Sequence, residues 1–238
     1  MKRFGSIEVI CGPMFAGKTE ELLRRVRRLE YAHKNVVLFK PLIDDRYEKS
    51  YIVSHNHNKA MCVAIKSAKE MLNYVKDDTD AVVIDEFQFL EDEAVDIALA
   101  FSRRGIRVIA SGLDRDFRDD PFNNMPRLLS HADFITKLTA ICVVCGEPAT
   151  CTQRMINGVP APYDNPQILV GASESYEARC ATCHEVPGKK YKYEWFRIYV
   201  FGFIRSRYCK FIRWGSCWSY CRYGWKGNRK GTQLKNRG

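Results

Sequence analysis

The chain opens with an apolar run, Ile7-Glu8-Val9-Ile10-Cys11, that leads directly into Gly12-Pro13-Met14-Phe15-Ala16-Gly17-Lys18-Thr19. Glu20-Glu21-Leu22-Leu23-Arg24-Arg25-Val26 follows without a break. Strand, G-x-x-x-x-G-K-T loop and helix, in that order, form a phosphate-binding loop. Gly12 and Gly17 allow backbone N–H groups to turn inward around phosphate oxygens, and the new helix aims its positive end at the same anion. Lys18 would reach the β- and γ-phosphates, and the Thr19 hydroxyl would sit on Mg²⁺. A glycine turn that merely joined strand to helix would not need Lys-Thr after its last glycine.

Apolar runs recur after this loop and bound the fold class. A helix is expected over 18–33, where Leu22, Leu23, Val26 and Leu29 share one face. Val36–Phe39 reads as a buried strand that ends at Lys40-Pro41, where the proline lacks an N–H. A strand is expected over Ala60–Ile65, and a short helix over Ser67–Val75 with Ser67 and Glu70 as a capping box. Ala81-Val82-Val83-Ile84 is a strand that runs into Asp85-Glu86, Glu93–Arg104 is a helix closed by Gly105, and Arg107–Gly112 is a further strand. This alternation predicts an α/β fold: a parallel P-loop NTPase-type sheet with helices on both faces and right-handed crossovers. Ligands of such sheets gather at the strand C-terminal ends, which here carry Gly12–Thr19, Asp85-Glu86 and the loop Leu113–Phe122.

Two constellations carry further chemistry. Asp85, at the end of its strand, suits a Mg²⁺-side acid, with a helix N-cap as the alternative. Glu86 suits a general base, with a surface carboxylate as the alternative. Cys142-x-x-Cys145 and Cys180-x-x-Cys183 offer four thiolates for a structural zinc site. Their separation is longer than in compact zinc ribbons, so the metal would clamp the base of a long loop. Cys151 and His184 stand as substitute ligands, whereas Cys11 and Cys62 read as small buried hydrophobes. The loop from Gly146 to Arg179 alternates turn signals with apolar runs, as an ordered lid does. His55 and His57 read as part of a solvated loop.

Charge and cysteine usage limit the partners. Eleven of the 38 Lys and Arg lie in residues 195–238, where no Asp or Glu occurs, which leaves 27 basic against 28 acidic residues before them. The body is therefore close to neutral, and only the tail invites a nucleic-acid argument. Ten cysteines in a chain with no membrane-length apolar run and no signal-peptide pattern point to a cytoplasmic protein that keeps its thiols reduced.

Several of these motifs together resemble the cellular, zinc-containing thymidine kinases, and the bacterial members most. The resemblance rests on Gly12–Thr19, on Asp85-Glu86-Phe87-Gln88-Phe89, on Gly112-Leu113-Asp114-Arg115-Asp116-Phe117 and on the paired CxxC motifs in that order, and it spans roughly residues 3–190. It implies transfer of the γ-phosphate of ATP to the 5′-hydroxyl of thymidine, and also of deoxyuridine, with Mg²⁺ and a structural Zn²⁺. Gly12 to Thr19 and Asp85 to Gln88 would hold ATP and its phosphates, with Thr19 and Asp85 on Mg²⁺ and Glu86 as the base. Met14, Asp44, Arg46, Phe89, Leu113, Phe117, Phe122, Thr152, Leu169, Gly171 and Tyr176 would contact the nucleoside. Cys142, Cys145, Cys180 and Cys183 would hold the zinc. The family also implies a homotetramer and feedback inhibition by dTTP. Backbone groups in a dry lid would read the pyrimidine edge, and deoxycytidine would leave them unpaired.

Three domains are expected: a P-loop kinase domain over 1–138, a zinc-and-lasso domain over 139–190, and an atypical tail over 191–238. Two departures from the family stand out. Asp119-Asp120 replaces the more usual Gly-Glu before Pro121-Phe122, which would restrict that loop. After about Lys190 the resemblance stops; all four tryptophans and twelve aromatic residues in total fall in the last 44 positions. That shift in composition favours out-of-frame or read-through coding over a tail that binds single-stranded nucleic acid. The alternative functions are a P-loop ATPase or switch acting on nucleic acid through this tail, and an inactive variant.

Overall fold

Both faces of the central sheet are covered, which explains why strands such as Ala81-Val82-Val83-Ile84 are apolar at every position. The computed structural model describes residues 5–42, 51–53, 59–168 and 174–190. The first elements are β1 (Ile7–Cys11), α1 (Lys18–Tyr31) and β2 (Val36–Pro41), then β3 (Tyr51–Val53), β4 (Lys59–Met61) and β5 (Val63–Ile65). There follow β6 (Ala81–Ile84), α2 (Glu93–Arg103), β7 (Arg107–Gly112), α3 (Met125–Ser130) and β8 (Phe134–Lys137). The C-terminal strands are β9 (Ala140–Ile141), β10 (Pro148–Ala149), β11 (Cys151–Ile156), β12 (Val159–Pro160) and β13 (Glu174–Arg179).

The main sheet has six strands in the order β5-β2-β6-β7-β1-β8, and every pairing is parallel. The expected fold class is therefore present. Alternate residues of each strand feed two cores. Ile10, Leu38, Val83 and Ile109 meet Leu22, Leu23, Val26 and Leu29 of α1 on one face. Val9, Phe39, Ile84 and Val108 meet Val95 and Phe101 of α2 and Met125 and Leu128 of α3 on the other. Cys11 is buried in β1 and Cys62 in the link between β4 and β5, and burial raises both thiol pKa values, that of Cys11 to about 11. Smaller sheets form from β9 with β10, from β12-β11-β13 and from β3 with β4, all antiparallel.

Three local expectations need correction. The segment 60–65 is two strands: β4 pairs with β3, whereas β5 joins the main sheet beside β2. The segment 67–75 holds a short 3-10 helix over Ala68–Asn73; Ser67 makes no side-chain cap bond, and Glu70 Oε2 accepts from the Lys66 N–H at 3.3 Å instead. Pro41 does not end its ladder. Alternate residues of a strand address alternate neighbours. Phe39 O faces β6 and accepts from Asp85 N at 3.0 Å, and Leu42 N donates to Ile65 O of β5 at 2.8 Å. The missing Pro41 N–H thus falls where β6 has already ended.

Met1–Gly188 form one compact unit and Lys189–Gly238 another, of which only Lys189 and Lys190 are described. The anomalous tail thus lies outside the described residues. Among the described residues no helix is long and apolar enough to cross a membrane.

Candidate active site

β1 delivers the glycine loop to the C-terminal edge of the sheet, between the ends of β7 and β8. Gly12 adopts φ +142°, and a Cβ there would lie 2.3 Å from Leu138 O, so the turn out of β1 admits no side chain. Gly17, at φ +78°, caps α1. Lys18 folds back over the loop and donates to Pro13 O at 2.8 Å. Burial lowers the pKa of its ammonium group, against the pull of Glu86, Asp85 and Asp114. Thr19 is half-buried in the first turn of α1, and the Phe15 ring is largely exposed.

Asp85 and Glu86 follow β6, next in the sheet to β7. Asp85 is 3% exposed, and its Oδ1 accepts from the Ser111 hydroxyl and from Glu86 N–H at 3.1 Å. Burial, reinforced by the Glu86 charge, raises its carboxyl to about 6. Glu86 stands at φ +53°, a left-handed conformation that a residue with a Cβ enters at a cost of about 1–3 kcal/mol. This bend turns Glu86 away from the sheet and into a cavity of about 290 Å³.

Gln88 is fully buried between two partners. Its Nε2 donates to Glu86 Oε2 at 2.5 Å, and its Oε1 accepts from Leu113 N at 3.1 Å. Gly112 makes room for it, since a Cβ at that position would be 2.5 Å from Gln88 Oε1. Gln88 therefore ties the Asp85-Glu86 turn to the loop after β7. The ring of Phe87, a residue expected at the ATP site, is sealed in the core beneath α2, which leaves only its backbone to a ligand.

The cavity brings together Met14, Lys18, Glu86, Phe89, Leu113, Phe117, Phe122, Thr152 and Tyr176, all of them singled out from the sequence. Phe89 and Phe122 meet edge to face, with centroids 5.8 Å apart. Thr152 reaches in from β11, and its hydroxyl accepts from Met14 N at 3.0 Å. Asp44, Arg46, Leu169 and Gly171 lie outside the described residues, as do His55 and His57.

The cavity also has walls that sequence reasoning missed: Lys40, Asp116, Arg154, Gln167 and Ile168. Arg154 is 2% exposed, and its guanidinium lies 3.9 Å from the Phe117 ring centroid. It donates to Tyr176 OH at 3.1 Å and to Pro166 O and Gln167 O at 2.6 Å each, which fastens the segment before Ile168 over the cavity. Asp116 Oδ1 accepts from Arg118 N at 2.8 Å and Asp120 N at 3.1 Å, while its Oδ2 accepts from Gln167 Nε2 at 3.1 Å. Lys40 could have been found by the logic that found Asp85, as a charged letter at the end of an apolar strand. Arg154 gave no such signal, because Cys151–Met155 are all buried and alternation is lost.

Asp119, where the resembled family more often has glycine, does adopt φ +62°. Aspartate tolerates that region better than most residues, and its carboxylate is held by Arg115. The substitution is accommodated without loss of the turn.

Cys142, Cys145, Cys180 and Cys183 converge, with all four Sγ atoms within 4.8 Å of one another. Cys145 Sγ and Cys180 Sγ are 3.6 Å apart, close to the edge of about 3.8 Å expected for a tetrahedron with Zn–S bonds of about 2.3 Å. Burial opposes ionisation of Cys142, but backbone N–H groups of Cys180, Cys145 and Val144 outweigh it and bring the thiol down to about 6. Cys180 is lowered too, whereas hydrogen bonds to Cys180 and Cys145 push Cys183 up to about 12; a divalent cation would relieve that crowding by holding all four as thiolates. Cys151 and His184 are not part of the cluster: Cys151 donates to Asp119 Oδ1 at 3.7 Å, and His184 Nε2 lies 3.0 Å from Phe117 O. Ala16 of the glycine loop packs on the small core of Ala140, Cys142, Ala149 and Ala178 behind the cluster.

A larger depression of about 660 Å³ lies along α1 and β8, lined by Glu8, Arg25 and Arg107. Glu8 already pairs with Arg25 at 2.8 Å and Arg107 at 2.5 Å, so its charges are spent internally. The smaller cavity is the one that gathers the residues singled out from the sequence. The family model for thymidine kinase matches residues 5–184 of the chain.

Proposed function

The chain belongs to the thymidine kinase family, and from that premise we propose which of its residues perform the reaction. The enzyme phosphorylates thymidine with ATP. Glu86 is the general base that takes the proton of the 5′-hydroxyl, and Lys18 and the loop Gly12–Thr19 hold the phosphates. Met14, Phe89, Leu113, Phe117, Phe122, Thr152 and Tyr176 enclose the nucleoside. Asp44, Arg46, Leu169 and Gly171 complete its contacts by their match to the family motifs. The observation that carries this reading is one cavity lined by Glu86 and Lys18 together with Phe89, Phe117 and Phe122.

Thr19 and Asp85 would hold Mg²⁺, which would neutralise phosphate charge during transfer. The four-cysteine cluster is compatible with zinc, and we assign it one structural Zn²⁺ at the base of the lid. In functional terms residues 1–138 provide phosphoryl transfer and 139–190 provide the zinc-clamped lid. Family membership further supports a cytoplasmic homotetramer, inhibited by dTTP, that also accepts deoxyuridine. It does not favour the reading of an ATPase acting on nucleic acid.

A coupled assay of ADP release tests the assignment. Thymidine and deoxyuridine should stimulate it, whereas deoxycytidine and single-stranded DNA should not. Glu86→Gln should bind both substrates and lose about 10²–10⁴-fold in kcat. Near-normal turnover of that variant would remove Glu86 from the base role.

A further inference from the structure

Lys40 lines the same cavity as Glu86 and Lys18, and the reading above leaves it without a task. It sits at the end of β2, next to β6 in the sheet. Phe39 is in register with Ile84, so Lys40 stands level with Asp85. Side chains alternate along a strand. Leu38 and Val83 both face α1, so Lys40 and Asp85 share that face, the one over which the glycine loop turns. Lys40 is half-buried, and its charge is felt by Asp85 and by Cys62. Among the described residues its side chain makes no hydrogen bond and no ion pair. Lys18, by contrast, spends a hydrogen bond on Pro13 O. Half-buried, and with its side chain in no ion pair among the described residues, Lys40 has its ammonium group available to an anionic ligand.

We propose that Lys40 touches the phosphoryl group during its transfer, as a second cation opposite Lys18. The inference rests on the kinase reading. In the step, the 5′-oxygen of thymidine forms a bond to the γ-phosphorus as the bond from that phosphorus to the β,γ-bridging oxygen breaks. The bridging oxygen keeps the electron pair and leaves on ADP, and the hydroxyl proton passes to Glu86. Lys40 transfers no proton. Its ammonium donates hydrogen bonds to the equatorial oxygens, on which charge is spread in the transition state. Its place on β2, a core strand, holds it without a loop movement.

Lys40→Met keeps the aliphatic stem and removes the charge. It should lower kcat about 10²–10³-fold, as loss of one transition-state donor does, while the thymidine KM and the affinity for ADP change less than about threefold. Lys40→Arg should recover part of the loss. A kcat close to wild type, or an effect confined to KM, overturns the proposal. So does full recovery of kcat at raised Mg²⁺, which would mean that Lys40 acts only through Asp85. Thermal melts and zinc content report folding, and if Lys40→Met does not fold, Lys40→Gln takes the same test. A wild-type protein that releases no ADP with thymidine sinks the kinase reading itself, whereas an active wild type with an unaffected Lys40→Met sinks only the role of Lys40.

Discussion

The Thr152 hydroxyl accepts a hydrogen bond from the Met14 backbone N–H at 3.0 Å, between residues 138 apart in the chain. It joins the glycine loop to β11, the central strand of the sheet β12-β11-β13. Thr152→Val should leave that N–H without its partner at a cost of about 1 kcal/mol or more, and raise the thymidine KM roughly tenfold. Thr152→Ser should behave like wild type. Steady-state kinetics with thymidine varied at saturating ATP check both.

Gln88 holds Glu86 and Leu113 at once. Gln88→Met matches its length but offers neither bond. The expected result is a kcat lowered about tenfold or more, because Glu86 loses its orientation and Leu113 N–H is left buried. ADP affinity, measured by calorimetry, should be unchanged; a loss there would move Gln88 into the nucleotide site.

Metal analysis should find about one zinc per chain, and Cys145→Ser should lose it. The cluster sits behind β9, β10 and β13, with Ala16 against the same small core. Removal of the metal should therefore raise the thymidine KM more than that for ATP. An equal effect on both would place the zinc module's influence in the glycine loop itself.

Asp85 carries a pH signature. Its pKa is raised from 3.8 to about 6, so the fold disfavours its ionised form. This penalty is absent below about pH 3.8, grows between 3.8 and 6, and is complete above 6. In the absence of Mg²⁺, Asp85→Asn should thus melt at a higher temperature than wild type at pH 8, and the difference should shrink as pH falls below 6. The same variant should lose Mg²⁺-dependent turnover, so that stability and activity move in opposite directions.

The groups proposed to react were legible in the sequence because each is announced by its neighbours along the chain. An apolar run before Gly12–Thr19 or before Asp85-Glu86 marks a strand end in a buried parallel sheet, and C-x-x-C turns two thiols to one side. What no local pattern carried is which distant groups meet. The bond of Thr152 to Met14, the clasp of Arg154 on Phe117 and Pro166, the sealing of Phe87 in the core and the passage of Pro41 through its ladder depend on strand order and register. Those are set when helices pack on both faces of one parallel sheet and the later strands fold beside the glycine loop. By itself the sequence determined what chemistry the strand ends could hold. Only the tertiary structure decided which residues surround it, because hydrogen bonds and stacking act over a few ångströms of space whatever their separation along the chain.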